Sequence, residues 1–175
     1  MNTRQRLAAA AILATAGLAS AQTNFEWTGL SNDQWNVTNN WFNLDTLTVS
    51  GFPQINDTAN FTVSAAVNGG EVLNINVGPT AILTLGSAGN SETTVFGTIT
   101  NNALITFPAD DVNNSGFNVD RRIQTPTAAT TTLTGGGEIA LNGTETGFQG
   151  EGPENSTLHN LNNEITGYGT IRNLT

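Results

Sequence analysis

Gly97-Thr98-Ile99-Thr100-Asn101 returns near the end of the chain as Gly169-Thr170-Ile171-Arg172-Asn173, and a looser copy, Gly137-Glu138-Ile139-Ala140-Leu141-Asn142, stands between them. Each copy is a strand-sized run with a glycine before it and an asparagine at or near its end. Threonine and isoleucine are stiff at χ1 and fit a pleated surface. Glycine and asparagine serve a backbone that must turn sharply. A phrase of this kind, written more than once, marks repetitive, stacked β-structure. Its copies begin at Gly97, Gly137 and Gly169, and these unequal intervals are not one clean period.

The rest of the chain is written in the same manner. With 24 Asn, 28 Thr and 19 Gly, the composition favours short strands joined by tight corners. Apolar residues alternate or run briefly: Leu73, Ile75 and Val77; Ile82, Leu83 and Leu85; Val95 and Ile99; Leu104 and Phe107. These predict strands at 46–50, 59–67, 71–77, 81–85, 93–99, 103–107, 117–123, 130–134, 137–141, 157–161, 164–166 and 169–174. Turn clusters such as Asn68-Gly69-Gly70, Asn113-Asn114-Ser115-Gly116 and Gly135-Gly136-Gly137 separate them. No helical pattern follows Ala21. The expected fold is all-β: a parallel β-solenoid with a loose period of roughly 20 residues, or alternatively a β-sandwich with clean in/out alternation.

The chain opens with Arg4 and Arg6, an apolar run from Leu7 to Leu18 and the small-residue site Ala19-Ser20-Ala21. This is the layout of a secretory signal peptide over 1–21. The apolar run is about 12 residues long, against the roughly 20 that a membrane-spanning helix needs. Processing at Gln22 leaves 3 basic against 14 acidic side chains, and lysine is absent throughout. Nucleic acids and anionic membranes are recognised by clustered Lys and Arg, so the composition excludes both as partners. There is no cysteine and one histidine, which leaves no disulfides and no thiolate or imidazole metal site.

Residues 24–65 differ in texture. They hold all three tryptophans, in Trp27-x-Gly29, Trp35 and Asn40-Trp41, followed by Asp57-x-Ala59-x-Phe61. A stack of strands exposes an apolar end and unpaired backbone groups, and large rings can cover it. Residues 22–65 therefore read as an N-terminal capping module and 66–175 as the repeats. Together with Leu158-x-Asn160-x-x-Asn163-x-Ile165-x-Gly167-x-Gly169-Thr170-Ile171-x-Asn173, this pattern resembles secreted bacterial proteins with autotransporter-type β-strand repeats. The resemblance implies a right-handed parallel β-helix, exported and displayed at the cell surface or released. It also implies that the repeats run on past Thr175.

Residue types that could carry chemistry are few. Asp110 and Asp111 form the one adjacent carboxylate pair; with Asp120, and with Arg121 or Arg122 to hold an acidic sugar, they suit a polysaccharide-cleaving enzyme. Asp110, Asp111, Asn113 and Asn114 also offer hard oxygens for calcium, although their spacing matches neither an EF-hand loop nor the Gly-Gly-x-Gly-x-Asp repeat of calcium β-rolls. Trp27, Trp35 or Trp41 would suit sugar stacking if their faces were open, as in a carbohydrate-binding module. His159 has no acid or serine elbow near it in the sequence and reads as a surface residue. The sequons at Asn36, Asn56, Asn60, Asn142 and Asn155 are what a chain rich in Asn and Thr produces by chance. The expectation is a non-catalytic, secreted or cell-surface structural or adhesive protein that needs no cofactor, with surface glycans or other surface proteins as partners.

Overall fold

The computed structural model describes residues 21–86, 91–108, 121–126, 128–150 and 156–175. They form an all-β structure in which nearly every strand pair is parallel. The short strands follow the short apolar runs: β1 (Asn24–Trp27), β2 (Trp41–Asn43), β3 (Thr58–Phe61), β4 (Ala65–Val67), β5 (Gly70–Val72), β6 (Asn74–Val77), β7 (Ile82–Leu85), β8 (Ser91–Val95), β9 (Thr98–Asn101), β10 (Leu104–Thr106), β11 (Arg121–Thr125), β12 (Thr130–Thr134), β13 (Glu138–Gly150), β14 (Thr157–Asn160) and β15 (Glu164–Arg172). The one helical turn among the described residues is a 3-10 turn at Thr38–Asn40.

Three ladders organise these strands. The first runs β2-β1-β3-β6-β9-β12-β14. The second stacks β4, β7, β10 and the start of β13, and the third stacks β5, β8, β11 and the end of β13. β13 serves both because it is 13 residues long, and β15 lies along it through a register shift between Asn142 and Gly147. Consecutive strands from β3 onward enter ladders one, two, three and then one again.

In-register stacking puts like side chains on top of one another. On the first ladder Ala59 sits on Ile75, Ile75 on Ile99 and Ile99 on Leu133, so the loop of chain between neighbours lengthens at each step. On the second, Ala65, Leu83, Ile105, Ile139 and Ile165 form one row. On the third, Thr93, Ile123, Phe148 and Ile171 form another. The alternation of the strands turns these rows inward, and the buried ones merge into one apolar cluster from Phe25 to Phe148. The outward rows are mostly polar, Ile82 and Leu104 apart, and on the first ladder they tie neighbouring strands together. The amide of Asn76 donates to Asn60 Oδ1 at 2.9 Å, and that of Asn60 donates to Phe25 O at 2.9 Å.

The recurring phrase acquires a physical meaning here, and it is not a period. Its copies lie on three different ladders: Ile99 on the first, Ile139 on the second and Ile171 on the third. What they share is a glycine with no room for a side chain. A Cβ on Gly97 would lie 2.9 Å from Leu73 O, one on Gly137 2.5 Å from Ala103 O, and one on Gly169 2.6 Å from Thr146 O. Real Cβ atoms do not approach backbone so closely, so the phrase marks places where one pass of the chain presses on the pass before it. The asparagines then hold the corners. Asn101 is fully buried; its amide donates to Glu138 O at 2.9 Å and Asn163 Oδ1 at 3.1 Å. Asn173 takes a left-handed turn at φ 54°.

Several expected boundaries move. The run expected at 59–67 is two strands, β3 and β4, and 71–77 is β5 and β6, because corners at Thr62-Val63-Ser64 and Leu73 re-aim the chain between ladders. The run 93–99 likewise divides at Phe96-Gly97. The cap boundary expected at residue 65 falls inside β4, and the ladders already begin at Thr58. The strand expected at 46–50 is a turn with one bridge, Asn43 to Thr48. Of the segment 117–123, only 121–123 lies within the described residues.

Polar groups inside the stack are nearly all paired, with two exceptions. The hydroxyls of Thr93 and Thr125 are buried and have no hydrogen-bond partner among the described residues. An unpaired buried hydroxyl costs about 1–3 kcal/mol. Thr93→Val keeps the branched shape and removes the group, so it should raise the thermal midpoint by about 2–4 °C for each kcal/mol recovered. A lowered midpoint in a thermal melt would mean that the Thr93 hydroxyl is satisfied after all.

Candidate functional site

The end of the ladders at β1 and β2 is where cavities, rings and polar side chains come together. β1 and β2 pair antiparallel with Trp27 directly opposite Trp41, and β1 continues onto β3 in parallel. Alternation then points Trp27, Trp41 and Phe61 to the same interior. The ring centroids of Trp27 and Trp41 lie 4.9 Å apart at 80°, those of Trp35 and Trp41 4.9 Å apart at 62°, and Phe61 lies 5.7 Å from Trp41. These are edge-to-face contacts, which suit the aromatic quadrupole. Both central indole N–H groups are used inward: Trp41 Nε1 donates to Trp35 O at 2.6 Å, and Trp35 Nε1 to Pro53 O at 3.0 Å.

Trp27, Trp35 and Trp41 are 4%, 4% and 0% exposed. The structure thus brings the three predicted rings together but as a packed cluster. Sugar stacking needs an open ring face, and none of the three offers one here. The surrounding residues explain why. Trp35 lies flat against Gly70, where a Cβ would stand 2.2 Å from Trp35 Cδ2. Asn40 is fully buried and saturated: its oxygen accepts from the backbone N–H of Ser31 at 2.9 Å and Asn32 at 3.2 Å, and its amide donates to Asn32 Oδ1 and Gln34 O, both at 2.9 Å. Asp57, 8% exposed, accepts from the N–H of Thr23 at 3.0 Å and of Gln54 at 2.9 Å. The Asn40-Trp41 and Asp57-x-Ala59-x-Phe61 signals are therefore loop clamps and core positions of one cap.

Two clefts flank this cap. One, of about 310 Å³, is lined by the edge of Trp35 with Phe52 and Pro53 and by the polar side chains of Gln34, Asn36, Gln54 and Glu71. The other, of about 300 Å³, lies beside Trp27 and is bordered by Asp33, Asn32 and Ser64. Neither was visible in the sequence as a site. Their walls come from separate segments, 28–36, 52–54 and 63–71, which meet only because Trp35 packs on Gly70 and Asn68 N–H bonds Asp33 O.

The other predicted residues lie elsewhere. Asp110, Asp111, Asn113, Asn114 and Asp120 fall outside the described residues, so the acid/base and calcium readings gain no geometry. Arg121 and Arg122 open β11, paired with Ser91 and Glu92 of β8 and with Thr146 and Gly147 of β13. His159 is exposed on β14, opposite Thr132. Among the described residues no three of His, Asp and Glu converge as metal ligands, and no helix is long and apolar enough to cross a membrane. No protein-family model, curated protein or solved structure matches the chain.

Proposed function

We propose that the chain is a secreted or cell-surface β-solenoid with a structural or adhesive task, a right-handed coil closed at one end by its tryptophan-rich cap. One observation supports this reading: strands β3 to β15 fall in turn into three parallel, in-register ladders, and their buried residues belong to one apolar cluster. A sandwich of the alternative kind is built from antiparallel pairs, whereas the pairing here is parallel wherever one pass of the chain follows another. The outward rows, Asn and Thr together with acidic residues such as Glu138 and Glu164, form a mostly polar surface that can be extended by further coils. The leader sequence and the excess of acidic side chains suit export and solubility outside the cell.

A second reading, glycan binding, draws on the cleft beside Trp35. Its amide and carboxylate side chains match sugar hydroxyls, and its small apolar floor suits a sugar face.

One experiment addresses both. The chain is expressed with its leader in a bacterial host, and the exported protein is sequenced from its N-terminus and incubated with neutral and acidic polysaccharides. A mature start at Gln22, no new reducing ends and attachment to cell or matrix surfaces support the structural reading. Release of reducing ends overturns it. Saturable binding of one glycan, lost in Gln54→Ala and Glu71→Gln, transfers the assignment to the cleft.

A further inference from the structure

The first ladder carries an outer face unlike that of its neighbour. Its outward positions alternate with the buried Ala59, Ile75, Ile99 and Leu133, and the register from β3 to β12 runs without a shift. Two rows result. One holds Asn74, Thr98 and Thr132; the other holds Asn76, Thr100 and Thr134. All six residues are half-buried and none is charged. On the second ladder the outward rows include Glu138 stacked on Glu164 and the exposed Ile82. Neighbouring parallel strands lie about 4.8 Å apart, and alternate residues along one strand about 6.6 Å apart. The six side chains therefore form a regular array in two directions.

The array is rigid. Asn76 Nδ2 donates to Asn60 Oδ1 at 2.9 Å, Asn74 Nδ2 donates to Thr58 Oγ1 at 3.4 Å, and Asn74 Oδ1 accepts from the N–H of Thr98 at 2.9 Å. The threonines are held by their own branching, which restricts χ1. Among the described residues the hydroxyls of Thr98, Thr100, Thr132 and Thr134 make no hydrogen bond to protein. Four hydroxyls, each beside a methyl, thus stand at fixed spacings with their hydrogen-bonding capacity turned outward. Little side-chain freedom remains to be lost when a partner orders on them.

We propose that this face binds ice. A partner that fits it is uncharged, offers donors and acceptors alike, and repeats in two directions. A charged polymer finds no opposite charge in these rows. A soluble glycan is held by a concave cleft or an open ring face, and the rows provide neither. Hexagonal ice meets all three conditions. The oxygens of its prism faces repeat at nearly the two spacings of the array, and each oxygen both donates and accepts. The threonine hydroxyls take the place of lattice waters, while the methyls between them order the water that joins face to crystal. The inference rests on the register of β6, β9 and β12 and does not depend on the functional reading above.

The test is partitioning into ice. A crystal is grown slowly from a solution of the 175-residue chain, and the protein in the melted ice and in the remaining liquid is measured by tryptophan fluorescence. The unaltered chain should be enriched in the ice, where a non-binding protein of similar size is excluded, and it should slow and facet the growing crystal. Thr100→Tyr and Thr132→Tyr each raise a ring above the array and should lose this retention while melting at the same temperature as the unaltered chain. Thr84→Tyr, on the outward face of the second ladder, should be retained normally. Where a tyrosine variant melts lower, Thr100→Ser and Thr132→Ser serve instead. They remove the methyl and free χ1, and should weaken retention without loss of fold. Exclusion of the unaltered chain from ice overturns the proposal, as does full retention of the Thr100 and Thr132 variants. Equal loss in Thr84→Tyr overturns it too. Binding to crystalline cellulose or chitin in place of ice would transfer the face to a polysaccharide surface and likewise overturn it.

Discussion

Replacing Trp41 with alanine should produce the largest loss of stability of any single truncation in the cap. The indole is fully buried, touches Trp27, Trp35 and Phe61, and donates its N–H to Trp35 O. Removing a large buried aromatic costs about 3–5 kcal/mol, because the cavity it leaves cannot collapse fully. In Trp41→Ala the carbonyl of Trp35 also loses its donor. For a chain of this size the thermal midpoint should fall by roughly 10 °C or more. The fluorescence of Trp27 and Trp35 should shift to the red as water reaches them. Thermal melts followed by circular dichroism and by fluorescence check both effects. A loss below about 1 kcal/mol would mean that the cap is not packed around this ring.

Gly137→Ala should be a strongly damaging small change in the ladders, and one whose cost comes from close approach alone. The new Cβ would stand 2.5 Å from Ala103 O and 2.8 Å from Ala103 N, and backbone cannot move aside as a flexible side chain can. Overpacking of this kind costs about 1–3 kcal/mol, and more where strand pairing is disturbed. Here the pairing at stake is β10 with β13. The neighbour provides the control. Gly136 has φ +79°, and a Cβ there would meet only the Asn162 side chain at 3.7 Å and its backbone oxygen at 4.0 Å. Gly136→Ala bears only the cost of the left-handed conformation, about 1–2 kcal/mol. Urea denaturation should therefore rank Gly137→Ala as less stable than Gly136→Ala, although Gly136 is the residue with the unusual torsion. The reverse order would show that conformation, and not the close approach of successive passes, governs this corner.

Both predictions depend on features that the sequence announced without explaining. The Trp27, Trp35 and Asn40-Trp41 pattern was legible as a module because rings and amides at that density are unusual. Whether the rings face outward or inward was not, since β1 and β2 had no clear alternating pattern and were not expected as strands at all. The phrase ending in Asn101 was legible as repetition. Its unequal spacing had no explanation in the sequence: Ile99, Ile139 and Ile171 lie on different ladders, and even within one ladder the interval from Ala59 to Ile75 is much shorter than that from Ile99 to Leu133. Parallel stacking tolerates such variation: corners can lengthen freely as long as each strand returns in register.

Local chemistry of the chain alone determined that it is all-β, that its strands are short and where most corners lie. These follow from β-branching and from glycine and asparagine at turns. The tertiary structure alone decided which strand sits on which, that the tryptophans are a packed cap, and that distant segments meet in clefts beside Trp35 and Trp27. Those are properties of contacts between residues far apart in the chain, and period-2 alternation gives a strand its faces but not its neighbour.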